Sequence, residues 1–299
     1  MLTLQLSQHL QKRQKKLLSN NKLTTPRNPL ARGFPFFNIM TNLIITAKNN
    51  PKIKDVKSLL SSSKDRKNSG LFVLEGVRLC VDAIRSGCRI QSVFCTENCM
   101  EKYADDILML KNNCEDFYTV SNDVLKSISD TVTPQGVVCT VYMGTKNLEY
   151  KKGKKYIALD TVQNPDNLGA IARTAEALGI DGLVIFGGCD IYNPKALRAS
   201  MGSLLRLPVK VCKSLEKELE EVKNIGMKTY ATVPDRDAKD ITKTDFSKGA
   251  LCIIGNEGNG VSKEIIDLCD EKITIKMLGR AESLNAAAAA SITMWELVK

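Results

Sequence analysis

Residues 156–186 read YIALDTVQNPDNLGAIARTAEALGIDGLVIF, and the order of patterns in them decides the fold. Tyr156 to Leu159 is a short apolar run of strand length. Leu168 to Leu178 carries apolar residues at helical spacing, and Leu183 to Phe186 is a second apolar run. Strand, helix, strand with no polar alternation describes parallel strands buried on both faces. The pattern continues through a helix at Lys195 to Leu204, strands at Val209 to Val211, Thr229 to Val233, Leu251 to Ile254 and Ile273 to Lys276, and helices at Leu215 to Asn224, Lys263 to Cys269 and Leu284 to Leu297. The fold class is α/β, with a mostly parallel sheet covered on both faces.

Upstream, strands are expected at Leu71 to Leu74, Ile90 to Cys95, Phe117 to Val120 and Gly136 to Val141. Helices are expected at Asp55 to Ser63, Val77 to Ser86, Glu101 to Asn112 and Asn122 to Ile128. Val77, Cys80, Ala83 and Ile84 give one of these helices a single buried face. Residues 144–155 (GTKNLEYKKGKK) are polar and lysine-rich and read as a linker, solvated or touching phosphate. The expected organisation is therefore residues 40–143 as one small domain, 144–155 as linker and 156–299 as a second domain, a division the length of 299 residues accommodates.

Residues 1–39 hold seven basic residues and no acidic one. They read as an unfolded extension, an RNA-binding tail or a targeting segment. They also account for most of the formal charge of +10, leaving 36 basic against 33 acidic groups elsewhere. Overall charge is thus a weak pointer to nucleic acid. Ten cysteines without a CxxC pair, and no secretory segment, fit reduced thiols in the cytoplasm, and no apolar run reaches the roughly 20 residues that cross a membrane. Cys95 and Cys99 alone come close enough in sequence to raise a metal site, which the reading does not favour. The single histidine is His9. Chemistry in the folded part therefore runs without histidine, as base, nucleophile partner or metal ligand.

Ligands of an open parallel sheet bind beyond the carboxyl ends of its strands. Three loops there have unusual composition. TVQNPDNLGAIAR (161–173) joins Asn164, Asn167 and Gly169 to Arg173; an arginine there can grip a phosphate, or simply pair with Glu176 behind an Asn164 or Asp166 cap. GNEGNGVS (255–262) has glycines that let backbone approach a ligand and Glu257 among them; without a following Gly-Lys-Ser/Thr it is no P-loop. LGRAESLN (278–285) puts Ser283 and Asn285 before five alanines, a run that allows close approach or merely favours helix.

NPDNLGAIARTAEALG (164–179), IIGNEGNGVS (253–262) and IKMLGRAESLNAAAAASI (275–292), in this order, closely resemble the three signature motifs of the SpoU branch of the SPOUT superfamily. KDRKNSGLFVLEG (64–76) and DTVTPQGV (130–137) resemble, more loosely, the ribosomal-protein-like substrate-binding domain found in that family. The resemblance implies an α/β knot, a deep trefoil, in the second domain. It implies S-adenosylmethionine as methyl donor without a metal, ribose 2'-O-methylation of RNA, and a homodimer. Gly255, Ile275 and Leu284, with Ile254 and Met277 beside them, match its cofactor positions, and Asn167, Arg173, Glu257, Ser283 and Asn285 its catalytic ones. Arg173 would hold the adjacent phosphate and the developing alkoxide rather than act as base, since an ordinary arginine stays protonated. Glu257 is equally readable as a lock on the knot or on the dimer. Lys64, Arg66 and Lys67 are the expected RNA contacts. Ribosomal RNA is favoured over transfer RNA; a base methylase and a catalytically silent RNA-binding protein are the alternatives.

Overall fold

The computed structural model describes residues 44–299; the basic leader lies outside them. Two sheets organise the chain. The first has four strands, β1 (Leu71–Glu75), β2 (Ile90–Cys95), β3 (Cys114–Thr119) and β4 (Val137–Tyr142), in the order β1-β4-β2-β3. It is mixed: β4 runs antiparallel to β1 and β2, and β2 parallel to β3. Helix α1 (Pro51–Ser61) begins on an Asn50 cap with proline at its first position, and α2 (Ser63–Ser69) follows a Ser62 cap. Alternate strand residues divide the core. Phe72, Leu74, Val93 and Cys139 meet α3 (Val77–Arg85) and the pair α4 (Glu97–Lys102) and α5 (Ala104–Asn112). Val73, Phe94 and Val138 meet α1 and α6 (Asn122–Ser127) on the other face.

The second sheet has seven strands, all parallel: β5 (Lys155–Asp160), β6 (Gly182–Phe186), β7 (Val209–Cys212), β8 (Lys228–Thr232), β9 (Lys239–Asp240), β10 (Ala250–Ile254) and β11 (Glu271–Thr274), in the order β7-β6-β5-β10-β8-β11-β9. Ile157, Leu159, Leu183 and Ile254 pack under α7 (Pro165–Ala177), α8 (Pro194–Ala199) and α12 (Ala286–Val298). Ala158, Val184, Leu251 and Ile253 face α10 (Leu215–Asn224) and α11 (Lys263–Leu268). The chain steps outward from β5 to β6 and β7, then returns so that β10 lies against the opposite edge of β5. The direction of winding thus reverses between β5 and β10, the place in an open parallel sheet beside which ligands bind.

Several expected elements differ. The helix expected over 195–204 breaks into α8 and α9 (Ser203–Arg206), because Met201 and Gly202 take φ of 50° and 87°; a helix cannot pass through that left-handed pair. The helix expected over 101–112 starts earlier and divides at Tyr103. Strand β9 and the 3-10 turn after it were not expected. Residues 144–155, read as a solvated linker, send Leu148 and Tyr150 into the core, where the Tyr150 hydroxyl donates to Glu218 at 2.7 Å. Lysine density hid two apolar anchors. Cys95 and Cys99 are buried side by side, and among the described residues no cluster of His, Cys, Asp and Glu could hold a metal ion. No helix in the described residues is long and apolar enough to cross a membrane.

Candidate active site

Helix α7 starts the site. The Asn164 side chain accepts from the backbone N–H of Asp166 and Asn167, with Pro165 at the first helical position. Gly169, one turn on, faces α8 so closely that a Cβ would stand 2.4 Å from that of Ala199 and 2.7 Å from the Ala196 carbonyl oxygen. Glycine there lets α7 lie flat on α8. The loop before the helix is strained, for Thr161 has φ of 56°, a left-handed value β-branched residues avoid. It is held from three sides: the Thr161 carbonyl accepts from Asn256 Nδ2 at 2.9 Å, the Val162 carbonyl from the Cys189 N–H at 2.8 Å, and the Thr161 N–H donates to the Phe186 carbonyl.

The loop after β10 folds back on itself. The N–H of Asn256 and of Gly260 each donate to the other's carbonyl at 2.9 Å. A Cβ on Gly255 would fall 2.0 Å from the Gly260 carbonyl carbon and 2.1 Å from the Val261 nitrogen. Glycine at 255 is therefore required by the loop's own return, a different reason from the ligand approach the sequence offered. The buried Asp160, last residue of β5, accepts from the N–H and hydroxyl of Ser262 and so fixes the far end of this loop.

Glu257 joins the loops. Its Oε1 accepts from the Asn167 amide at 2.8 Å and the Asn164 N–H at 3.1 Å, and Oε2 accepts from the Gln163 N–H at 3.1 Å. Asn285 Nδ2 in turn donates to Asn167 Oδ1 at 3.1 Å, while Asn285 Oδ1 caps α12 through the Ala287 N–H. Partial burial pushes the Glu257 carboxyl upward, but donation from Asn167 and the backbone of Gln163 and Asn164 outweighs it and holds the group below its ordinary value. A carboxylate saturated with donors is a poor base and a good staple. Of the five catalytic candidates, three (Asn167, Glu257 and Asn285) form this one chain of hydrogen bonds.

Beyond the carboxyl ends of β8, β10 and β11 lies a cavity of about 470 Å³. All five residues matched to cofactor positions line it: Ile254, Gly255, Ile275, Met277 and Leu284, together with Ser283 and Glu257. Thr232, Val233 and Pro234, at the end of β8, also line it and carried no signal in the sequence beyond their place after a strand. The Thr232 hydroxyl is buried and has no hydrogen-bond partner among the described residues. Arg173 is not a lining residue. It is exposed on α7, and among the described residues it makes no ion pair or side-chain hydrogen bond. The pairing with Glu176 does not form, because Glu176 binds Arg206 instead.

Lys64 and Lys67 are exposed on α2, but Arg66 between them is not an RNA contact: it is 3% exposed. Its Nη2 and Nε donate to Asp190 Oδ2 at 2.7 and 2.9 Å, and Nη1 to the Leu59 carbonyl at 2.6 Å. Helical phase turns residue 66 inward while 64 and 67 stay out.

Residues 154–295 match the SpoU rRNA Methylase family, and residues 50–139 match the MRM3-like substrate binding domain. The 23S rRNA (guanosine(2553)-2'-O)-methyltransferase RlmP of Bacillus subtilis is 32% identical over 254 residues, covering 85% of this chain and 98% of the relative. The chain belongs to the SpoU methylase family. The 23S rRNA (uridine(2479)-2'-O)-methyltransferase of Streptomyces viridochromogenes is 29% identical over 265 residues, covering 85% of this chain and 91% of that one. Among solved structures, the AdoMet-bound rRNA methyltransferase from Sinorhizobium meliloti superimposes with a TM-score of 0.76 at 28% identity, covering 85% of this chain and 97% of the other. The SpoU methyltransferase AviRb of Streptomyces viridochromogenes, in complex with AdoMet, gives 0.75 at 30% identity over 83% and 97%. This SpoU-family chain thus aligns with almost the full length of its relatives, through both sheets.

Proposed function

We propose that the protein transfers a methyl group from S-adenosylmethionine to the ribose 2'-hydroxyl of a nucleotide in structured RNA, with ribosomal RNA as the substrate class its relatives favour. The observation that carries the reading is the convergence of Ile254, Gly255, Ile275, Met277, Ser283 and Leu284 on one cavity at the carboxyl ends of the strands. The cavity suits the cofactor. Apolar walls and loop backbone suit an adenine and a sulfonium chain, and the unpartnered Thr232 hydroxyl offers a hydrogen bond that the protein itself leaves unused. When bound, S-adenosylmethionine supplies an electrophilic methyl group.

The chain's own residues then align and neutralise. Ser283, at the cavity edge, orients the ribose or the cofactor. Asn167 and Asn285, committed to each other and to Glu257, hold the substrate loop in register with the cofactor loop, a geometric requirement of in-line displacement. Arg173, exposed and without an ion pair among the described residues, grips a phosphate beside the target and stabilises the negative charge that develops on the 2'-oxygen. Lys64 and Lys67 contact RNA phosphates from the first sheet's side. In this reading residues 40–143 bind substrate, 156–299 form the knotted catalytic domain, and 144–155 join them. α12 exposes Ile292 and Trp295 one turn apart on one face, an apolar stripe suited to a second copy of the chain.

The test is transfer of label from methyl-labelled S-adenosylmethionine to unmodified ribosomal RNA. Wild type is expected to label the RNA and Arg173→Ala to lose at least about 100-fold in turnover while keeping its fold and cofactor affinity. Near-normal labelling by a folded Arg173→Ala would refute the assignment.

A further inference from the structure

Three arginine–aspartate pairs bridge the first and second sheets' segments. Arg66 of α2 holds Asp190, Asp130 holds Arg198 of α8, and Asp82 of α3 holds Arg206 of α9, at 2.7, 2.6 and 3.2 Å. All three land on elements next to the substrate loop. Asp190 follows Cys189, whose N–H fixes the Val162 carbonyl. Arg198 lies on the helix against which Gly169 packs, and Arg206 also grips Glu176 of α7 itself. A cavity of about 370 Å³, lined by Asp82, Arg198, Leu79 and Met201, opens at the boundary between the bridges at Asp82 and Arg198, beside a core that runs on through both sheets. The aromatic contact of Phe72 with Tyr192, centroids 4.7 Å apart, can pivot. Arg66 holds its aspartate through two N–H groups, and Arg198 and Arg206 hold theirs through one each; three such separated points add a directional restraint on attitude that the shared apolar core does not supply.

We propose that these pairs form an orientation clamp that sets where the RNA-binding segment presents its substrate relative to the methyl-transfer site, making Arg66, Arg198 and Arg206 positioning residues. The inference rests on the reading of the protein as an RNA methylase. Such pairs suit the role better than they suit stability. A buried pair roughly offsets its own desolvation, and exposed pairs contribute little, yet both impose geometry.

The test uses the full chain with Asp82→Asn/Asp130→Asn, which keeps every arginine charge, and separately Asp190→Asn. Methylated nucleotides on ribosomal RNA are mapped, KM and kcat are separated, cofactor affinity is measured, and amide exchange is followed over residues 59–70 and 186–193. The clamp predicts cofactor affinity within about twofold of wild type, KM for RNA raised about tenfold with methylation spreading to neighbouring nucleotides, and exchange about tenfold faster, the factors expected for losing directional charge-assisted contacts. Unchanged exchange with an unchanged map and KM overturns it. So does loss of cofactor affinity in step with melting, which marks a purely structural role. If wild type methylates no RNA, the RNA reading fails, and unchanged exchange in the variants still overturns the clamp.

Discussion

Gly255 and Arg66 mark the two ends of what single residues disclose. Gly255 stood out in the sequence as one of three glycines in a short loop, and it lines the cavity; the physical reason, that the loop's return leaves no room for a Cβ, needed coordinates. Gly255→Ala is therefore expected to open the loop, weakening S-adenosylmethionine binding by at least about tenfold and lowering the thermal midpoint, since overpacking of this kind costs about 1–3 kcal/mol. Isothermal titration and a melting curve read both. Arg66 sat between two exposed lysines and shared their apparent role, but a charge run cannot say which member points inward. The acceptors that draw it in lie 7 and 124 positions away. Thr232 was silent for a related reason: an unused hydroxyl is recognisable only once its surroundings are known.

At the scale of elements, the apolar runs specified most strands and helices, because periodicity reports burial directly. It reports breaks poorly. Met201 and Gly202 interrupt a pattern that reads as continuous helix, and Leu148 and Tyr150 are anchors inside a lysine-rich stretch. The three site loops were legible as compositions and Glu257 as a possible lock, but the partners it joins, Gln163, Asn164 and Asn167, were not. That coupling has a pH consequence. A carboxyl held below its ordinary value in the folded protein stabilises above its unfolded pKa, and the contribution is lost as pH falls through the folded value. The thermal stability of wild type should thus decline on acidification through and below the ordinary glutamate range. Glu257→Gln should abolish that acid limb and lower stability at neutral pH by about 1 kcal/mol, reduced from a fully buried case by exposure. Melting curves taken across pH for both proteins check this; parallel profiles would mean that another group is responsible.

For the whole molecule, the succession of strands and helices gave an α/β class, whereas the strand order, with β10 inserted beside β5, follows from long-range packing that no local pattern encodes. The two sheets share one continuous core from Phe72 to Leu297, so the division read from composition is not a gap in packing. The exposed apolar face of α12, with Trp295 58% exposed, is the surface on which the dimer proposal rests. Trp295→Asp is expected to convert a dimer to a monomer at micromolar concentration by light scattering, because a buried tryptophan carries a large share of an interface's energy. A wild-type monomer would refute the dimer, and an unchanged dimer in the variant would move the interface elsewhere. If the cavity beyond β8, β10 and β11 serves methyl transfer to ribose, RNA methylated by the purified protein and digested to nucleosides will show a 2'-O-methylnucleoside by mass spectrometry. A methyl group on a base instead would overturn the assignment of the cavity.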